Sequence, residues 1–251
     1  MKTVFTSIPT KLCEYAIVNR KVNHLCLYLY LKHNSSGYIE YGTQEYKSWA
    51  NDLNKSDKWI RTAINWLIKE KWITVNSKKK TYRIISYANL SKKLNTSFKS
   101  AVIYETENFL GFKNFCCAVV ITYHLKLKRW KDKERRSVSK MGDASSNRYC
   151  YPKGFYDLPI RYLAKVLNLS DTTANNIKKN ALKDNYIILK KQINIMTDVN
   201  GTKIKKENFI HLKKMYPVQS GRLRIGKKYL KIVDADLMKP EIITKRKLYK
   251  F

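Results

Sequence analysis

The chain has 251 residues, of which 51 are Lys or Arg and 19 are Asp or Glu, giving a formal net charge of +32. Apolar residues make up 44% and aromatic residues 12%, which excludes a disordered basic tail because such tails lack the apolar surface that folding requires. The length suffices for two domains of ordinary size, each with its own core. The excess of positive charge predicts a polyanionic partner.

Nucleic acid is favoured over a membrane as that partner. The sequence shows no apolar run of roughly 18 residues, no lipidation signal and no basic amphipathic terminal helix. Its start lacks the apolar core and cleavage site of a signal peptide, so we expect the cytoplasm of a bacterium or of a phage-infected host cell. The most apolar segment, residues 115–122, is predicted to be a core helix. Abundant Lys, Asn, Tyr and Ile, whose codons are AT-rich, suggest an AT-rich bacterial, phage or plasmid genome.

Two segments of the chain repeat each other at an offset of 114 positions. Residues 49–73 and 163–187 align without a gap, and seven of the 25 pairs are identical. Internal repeats indicate architecture. In each copy a short helix with an Ala and a Leu is followed by a tight break, after which a Ser (Ser56 or Ser170) caps a second helix. The repeat therefore predicts two helix-turn-helix units.

Around the first copy, the apolar pattern predicts a domain over residues 15–88 that follows an N-terminal arm, residues 1–14. Its elements are a helix at 15–32, a strand at 38–41, a helix capped by Thr43, a helix at 57–71, and a hairpin of 73–75 and 81–85. The hairpin turn at 76–80 is rich in lysine. Residues 89–108 are predicted to be a linker, within which 101–104 can pair as a strand.

The second domain is predicted over residues 109–215 with the same order of elements. They are a helix at 109–130, a basic insertion at 131–147, a strand at 148–151, helices at 158–167 and 171–185, and a hairpin of 187–197 and 203–215. The hairpin tip, 198–201, carries an Asn-Gly turn signal. Residues 216–251 are predicted to be a basic tail. The expected fold class is α+β and mainly helical.

The second helix of each motif has an apolar stripe and a polar outer face. The predicted stripes are Ile60, Ala63, Ile64 and Leu67 in the first copy and Ala174, Ile177, Ala181 and Leu182 in the second. Polar residues of the motifs and lysines of the hairpins are the candidate DNA contacts: Lys55, Lys58, Arg61, Thr62, Asn65, Lys78, Lys79, Lys80, Thr172, Thr173, Asn175, Asn176, Lys179, Lys203 and Lys205. Any solvated helix also has a polar face, so this prediction depends on the repeat and the charge.

The two outer faces differ in the bases that they suit. Arg pairs with guanine and Asn with adenine in the major groove, and a Thr methyl can contact thymine. Asn175 and Asn176 therefore favour base reading, whereas Lys58 and Arg61 favour phosphate contact, and we predict that the second domain supplies more of the sequence specificity. Lysines of the hairpin tips are expected to add affinity rather than specificity.

The sequence predicts a binding protein and not an enzyme, with no metal and no cofactor. Its five Cys lack metal-ligand spacing and are expected to be reduced core thiols, and its four His do not pair at such spacing. Residues 211–216 place a His, a Lys and a Tyr too close together for a strand-cleaving tyrosine site. Trp49, Trp66 and Trp72 have core-like spacing, which disfavours a stacking surface for single strands.

The order helix, strand, helix, helix, hairpin resembles that of winged-helix proteins, and the two motif copies indicate two such domains in tandem. This plan is similar to that of plasmid and phage replication initiators of the iteron-binding kind, over about residues 15–215. The resemblance implies that the C-terminal domain reads repeated double-stranded DNA sites. It also implies that the N-terminal domain contributes phosphate contacts and dimerisation, with a homodimer and the replication or transcription machinery as partners.

Two other functions stay open at the level of sequence. One is a transcription regulator of a phage or mobile element, and the other is a structural protein that coats or packages DNA without specificity, which the charge of +32 favours. An initiator binds direct repeats, a regulator prefers a palindrome, and a coating protein binds all sequences with a steep dependence on salt.

Overall fold

The structure, a computed structural model, describes residues 5–105, 109–138, 154–190, 196–197, 203–204, 218–219, 222–225, 228–231, 236–242 and 244–246. Helices contribute more of these residues than strands do, so the fold class is α+β and mainly helical, as predicted. The division of the chain into two domains is still a prediction, and below we refer to a first and a second unit, one around each motif copy.

The first unit contains five helices and four strands among its described residues. In chain order they are β1 (Phe5–Pro9), α1 (Thr10–Val18), α2 (Val22–His33), β2 (Tyr38–Glu40), α3 (Thr43–Asp52), α4 (Asp57–Lys69), β3 (Ile73–Asn76), β4 (Thr81–Ile84) and α5 (Tyr87–Lys93). The predicted helix at 15–32 is two helices, because Arg20 adopts a left-handed φ of 57° and ends the first. The cap position of α3 is Gly42, and Thr43 is its first residue.

The second unit contains three helices, a 3₁₀ turn and ten strands among its described residues. They are β5 (Ser100–Glu105), α6 (Phe112–Val138), β6 (Tyr156–Asp157), α7 (Ile160–Leu167), α8 (Asp171–Ala181), the 3₁₀ turn Lys183–Asn185, β7 (Ile187–Lys190), β8 (Met196–Thr197), β9 (Lys203–Ile204), β10 (Val218–Gln219), β11 (Arg222–Ile225), β12 (Lys228–Lys231), β13 (Leu237–Pro240) and β14 (Thr244–Arg246). The strand predicted at 148–151 lies outside the described residues.

The two motif copies match in backbone geometry at the offset of 114. Asn54 and Asn168 both adopt a left-handed conformation, with φ of 50° and 52°. The next residue in each copy donates a backbone hydrogen bond back across the break, from Lys55 to Ala50 at 2.8 Å and from Leu169 to Ala164 at 2.9 Å. The second helices and the strands after them begin at corresponding positions.

Each unit has a small antiparallel sheet with the same arrangement of strands. The order is β2-β4-β3 in the first unit and β6-β13-β7 in the second, so the last strand along the chain lies in the middle of each sheet. β3 and β4 are joined by a short turn, whereas residues 191–236 separate β7 from β13.

The predicted tail is wrong at residues 237–240, which form a strand of the second sheet. β7 pairs with this strand, β13, whereas residues 205–215, predicted to pair with β7, lie outside the described part of the chain. Met196–Thr197 and Lys203–Ile204 pair as expected, around the predicted tip. Leu237 and Met238 are buried in β13, and this apolar pair completes the sheet, whereas the strand predicted at 203–215 is rich in lysine.

A third sheet brings together the start, the middle and the end of the described chain. Its order is β1-β5-β14, with β1 and β5 antiparallel in register from Phe5 opposite Glu105 to Pro9 opposite Ala101. The predicted arm is thus wrong over residues 5–14, because Ile8 and Leu12 are fully buried. The strand expected at 101–104 is confirmed, and the predicted linker also contains most of α5.

One continuous hydrophobic core contains side chains of both units. The predicted core helix at its centre is confirmed, since residues 115–122 of α6 are buried and pack against α1, α2 and α8. Glu14 of α1 accepts hydrogen bonds from Lys11, at 2.6 Å, and from His124 of α6, at 3.0 Å. Burial disfavours the ionised carboxyl, but these two hydrogen bonds, together with the electrostatic attraction of Lys11 and His124, outweigh burial and lower the pKa of Glu14.

Four cysteines are buried and free: Cys13, Cys26, Cys116 and Cys117. Burial raises the pKa of Cys26 and of Cys117 to about 12, so these thiols stay protonated and unreactive at neutral pH. Cys150 lies outside the described residues. Within the described ranges, none of the helices combines the length and apolar character needed to cross a membrane.

Candidate nucleic-acid interface

α4 is held by the side chains predicted for its inner stripe. Ser56 caps the helix by accepting a hydrogen bond from the backbone N–H of Trp59 at 3.2 Å. The apolar stripe faces α2 and α3, and its four members are buried: Ile60, Ala63, Ile64 and Leu67. The opposite face of α4 is therefore directed towards solvent.

The exposed face of α4 contains four of the predicted contacts, Lys58, Arg61, Thr62 and Asn65. The Arg61 guanidinium lies 5.0 Å from the centre of the Tyr46 ring, a cation–π contact that orients it. The Thr62 hydroxyl donates to the Lys58 carbonyl oxygen at 2.8 Å, so this residue offers its methyl group to a partner. Lys55, the fifth predicted contact of this motif, is exposed in the break before the helix.

A set of tyrosines supports Arg61 from below. Tyr46 and Tyr82 are joined by a hydrogen bond between their hydroxyls, and Tyr82 stacks on Tyr41 with ring centres 4.3 Å apart. Burial, together with the Tyr46 hydrogen bond, raises the pKa of Tyr82 well above its usual value. The Tyr82 phenol therefore stays neutral, and the Arg61 guanidinium lies over the Tyr46 ring of this aromatic cluster.

α8 is held in the same manner as α4. Ser170 accepts from the backbone N–H of Thr173 at 3.2 Å. Three predicted stripe residues, Ala174, Ile177 and Ala181, are buried, whereas Leu182 is half-buried. At the far end, the Asn114 amide of α6 donates to Asp184 at 3.0 Å, which fixes the end of the motif against the core.

The outer face of α8 differs from the prediction at one position. The side chains of Thr172, Thr173, Asn176 and Lys179 are exposed as expected. Asn175 is half-buried because its position lies closer to the packed side of the helix. Asn176 is therefore the better placed of the two amides for a partner.

A half-buried ion pair in the second unit was missed by sequence reasoning. Lys178 occupies the position that corresponds to buried Ile64, and its ammonium group lies 2.6 Å from the Asp236 carboxylate. The Lys178 side chain is only 14% exposed and that of Asp236 31%. Asp236 directly precedes β13, so the pair fastens α8 to the central strand of the sheet. The pair could not be predicted from the sequence because Asp236 lies in the segment predicted to be a basic tail.

The hairpin of the first unit presents Lys78, Lys79 and Lys80 as expected, since all three are exposed. Lys80 has a left-handed φ of 49°, and the Lys79 N–H donates to the Asn76 side chain at 3.3 Å. This turn is thus defined by backbone geometry. In the second unit, Lys203 lies in β9, its side chain is outside the described part, and Lys205 is outside it altogether.

Two of the three tryptophans predicted to lie in the core are buried. Trp49 and Trp72 are buried and Trp66 is half-buried, with its ring centre 5.3 Å from that of Trp72. Trp130 on α6 is 55% exposed, and sequence reasoning overlooked it because the helix was predicted to end there.

The outer face of α4 is basic, and that of α8 is rich in amide and hydroxyl groups. Among the described residues, no three His, Cys, Asp or Glu side chains come together as a metal site. No protein-family model matches the chain, and no curated protein or solved structure matches it either.

Proposed function

We propose that the chain is a double-stranded DNA-binding protein that contains two winged-helix units and inserts the second helix of each motif, α4 and α8, into the major groove. The observation that carries this proposal is the repeated motif, with matching breaks, caps and helix starts and a polar outer face on each second helix. The sheet order, identical in both units, supports it. The charge of +32 supplies the long-range attraction to phosphate.

Duplex is favoured over single strands by the placement of the aromatic residues. Single-strand binding depends on exposed rings on which bases stack. The motif tryptophans are buried (Trp49, Trp72) or half-buried (Trp59, Trp66), so none of them is fully exposed for stacking. A helix with Arg, Asn and Thr on its exposed face instead suits the edges of base pairs.

Replication initiation is the specific role that we propose. The faces of α4 and α8 have different chemistry, one cationic and one amide-rich, and they belong to units that share a core. A single chain would therefore read an asymmetric sequence. Such sequences occur in direct repeats, whereas a palindrome suits two identical faces related by a two-fold axis.

Selection from a randomised duplex pool tests this proposal. The purified protein is incubated with the pool at about 0.15 M salt, where non-specific binding is weakened, and the bound fraction is sequenced. We expect an enriched asymmetric motif. An enriched palindrome would favour a transcription regulator instead. Tight binding without enrichment would overturn sequence reading and favour a DNA-coating protein, the function that the high charge supports.

A further inference from the structure

α6 consists of two parts with opposite character. Residues 115–122 are buried, whereas from Lys126 onward the side chains that the structure describes are exposed or half-buried. The helix nevertheless continues to Val138. We call residues 126–138 the α6 extension. At about 1.5 Å per residue it is roughly 20 Å long.

The extension is strongly basic. Seven of its thirteen residues are Lys or Arg and two are acidic, so it has a net charge of +5 on a rod whose backbone is ordered as a helix. A basic stretch that is only a solvated face is usually balanced by acidic residues at helical spacing. Here the two acidic residues leave five basic ones in excess.

The base of the extension is fixed to the second unit. Lys128 contacts both carboxylate oxygens of Asp157, at 3.1 and 3.3 Å, and the Arg129 guanidinium lies 4.5 Å from the centre of the Tyr156 ring. Both partners belong to β6, a strand of the same sheet as β7 and β13. The direction of the extension is therefore set by the unit that contains α8.

Within the extension, the described side chains that are exposed are Lys126, Arg129, Trp130 and Lys131. Trp130 is among the most exposed large apolar residues of the described chain, at 55%. An indole beside several cations can pack against sugar groups while the cations contact phosphates. Asn114, whose amide donates to Asp184 just after α8, lies near the opposite end of α6 from the extension.

We propose that the α6 extension is a second DNA-binding site, which contacts the phosphate backbone of duplex that flanks the sequence read by the motif helices. The inference rests on the proposed DNA-binding function and adds a surface that the motifs do not include. Charge complementarity identifies the occupant, because a duplex offers one negative charge per roughly 1.7 Å along its axis. The extension contributes affinity without sequence preference, since phosphates are the same in every sequence.

The test uses the full chain and three variants. Lys131→Gln with Lys133→Gln removes two charges of the extension, and Trp130→Ala removes the indole. The matched control, Lys92→Gln with Lys99→Gln, removes two charges from exposed lysines elsewhere. The residues that fix the base, Lys128 and Arg129, are left in place. Circular dichroism verifies that each variant is folded.

Affinity is measured against salt concentration on two duplexes, one that just covers the selected site and one lengthened by about ten base pairs on each side. On the long duplex, the extension variant should reduce the slope of log affinity against log salt by about 0.9 per lost contact, or about 1.8 in total. On the short duplex it should bind as the parent does, and the control should retain the parent slope on both. Trp130→Ala should weaken binding to the long duplex without changing the slope.

Equal slopes for the extension variant and the control on the long duplex would overturn the proposal, as would equal losses of the extension variant on the two duplexes. These results differ from a failure of the proposed function, in which the parent protein itself selects no sequence or does not bind duplex. If the parent binds without selecting a site, the long duplex of any sequence still tests the extension.

Discussion

The two motif copies share a backbone conformation but present different chemistry on it. The break, the cap and the start of the second helix correspond residue by residue at the offset of 114. On the outer faces the same offset pairs unlike side chains: Lys58 with Thr172, Arg61 with Asn175, Thr62 with Asn176, and Asn65 with Lys179. A left-handed Asn and a capping Ser thus suffice to fix the motif, which leaves the outer face free to differ.

The inner faces differ as well. The first unit fills its core with large side chains where the second has smaller or charged ones: Leu67 corresponds to Ala181, Trp66 to Asn180, and Ile64 to Lys178. The second unit compensates with the ion pair between Lys178 and Asp236. One motif is therefore stabilised mainly by apolar packing and the other partly by an electrostatic contact with its central strand.

The largest effect should come from truncating the apolar packing of the first unit. Leu67 is fully buried, and Leu67→Ala should lower the free energy of unfolding by about 3 kcal/mol, through lost transfer energy and the cavity left behind. Urea denaturation measures the change. The matched variant Ala181→Leu should also destabilise, by roughly 1–3 kcal/mol, because Ala181 is fully buried and a larger side chain overpacks its surroundings. Stabilisation by Ala181→Leu would show that the core is underpacked around α8, contrary to this comparison.

Substitutions on the outer face of α8 should affect DNA specificity more than substitutions on the outer face of α4. Asn176→Ala should reduce the preference for the selected site over random duplex by roughly 5- to 150-fold, the range for loss of one bidentate base contact. Asn175→Ala should have a smaller effect because Asn175 is half-buried. Competition binding on selected and random duplexes measures both.

Arg61→Ala is the control for that assignment. It should weaken binding to both duplexes about equally, as the loss of a phosphate contact does. If Arg61→Ala changed the base preference and the two Asn variants did not, the first unit and not the second would be the sequence reader.

The local parts of the fold could be predicted from the sequence, and the long-range parts could not. The caps at Ser56 and Ser170 and the stripe of α4 depend on residues within a few turns, so their pattern is visible in a short window. The pairing of β7 with β13 joins segments separated by residues 191–236, and nothing in either strand identifies the other. For the same reason, Asp236 could not be predicted from the sequence as the partner of Lys178.

The candidate site was predictable to the same extent. The exposed residues of α4 follow from helical spacing, whereas the support of Arg61 by Tyr46 depends on how α3 packs on α4. The α6 extension was misread because its charged residues resemble a loop. A spacing of four between Asp132 and Arg136 is typical of a stabilised helix and was the signal available in the sequence.

The ion pair of the second unit should contribute less than the apolar packing of the first. Asp236→Asn leaves the Lys178 ammonium without its charged partner in a largely buried position, and we expect a loss of about 1–2 kcal/mol in the free energy of unfolding, less than for a fully buried pair because Asp236 is partly exposed. Lys178→Met combined with Asp236→Asn should recover part of the loss, because no unpaired charge remains. Urea denaturation measures the free energy of unfolding of the two variants. An equal loss in both would mean that the contact between Lys178 and Asp236 stabilises the fold through packing and not through charge.

The smallest effect is a pH dependence that arises from His24 in the first unit. His24 packs on Trp66 with ring centres 4.4 Å apart, and the second unit has Asn180 where the first has Trp66. Burial, and then the charge of Lys21, lowers the pKa of His24. The unfolded chain therefore binds this proton at a higher pH than the folded one does. As a result, the contribution of His24 to stability is present above its unfolded pKa of about 6.5 and is lost as the pH falls below it.

Replacing the imidazole should remove that dependence. In His24→Gln, the free energy of unfolding, measured by urea denaturation from about pH 7 to about pH 5, should fall less steeply than in the parent. Lys21→Gln should have an intermediate slope, since it removes the charge that opposes protonation but not the burial. A parent slope retained in His24→Gln would place the acid sensitivity between pH 7 and pH 5 at another group. The Glu14 carboxyl, which joins α1 to α6, responds in a different range. Because the pKa of Glu14 is lowered, its own contribution is lost only at a still lower pH, below its usual value of 4.5, so the two groups are separable in one titration.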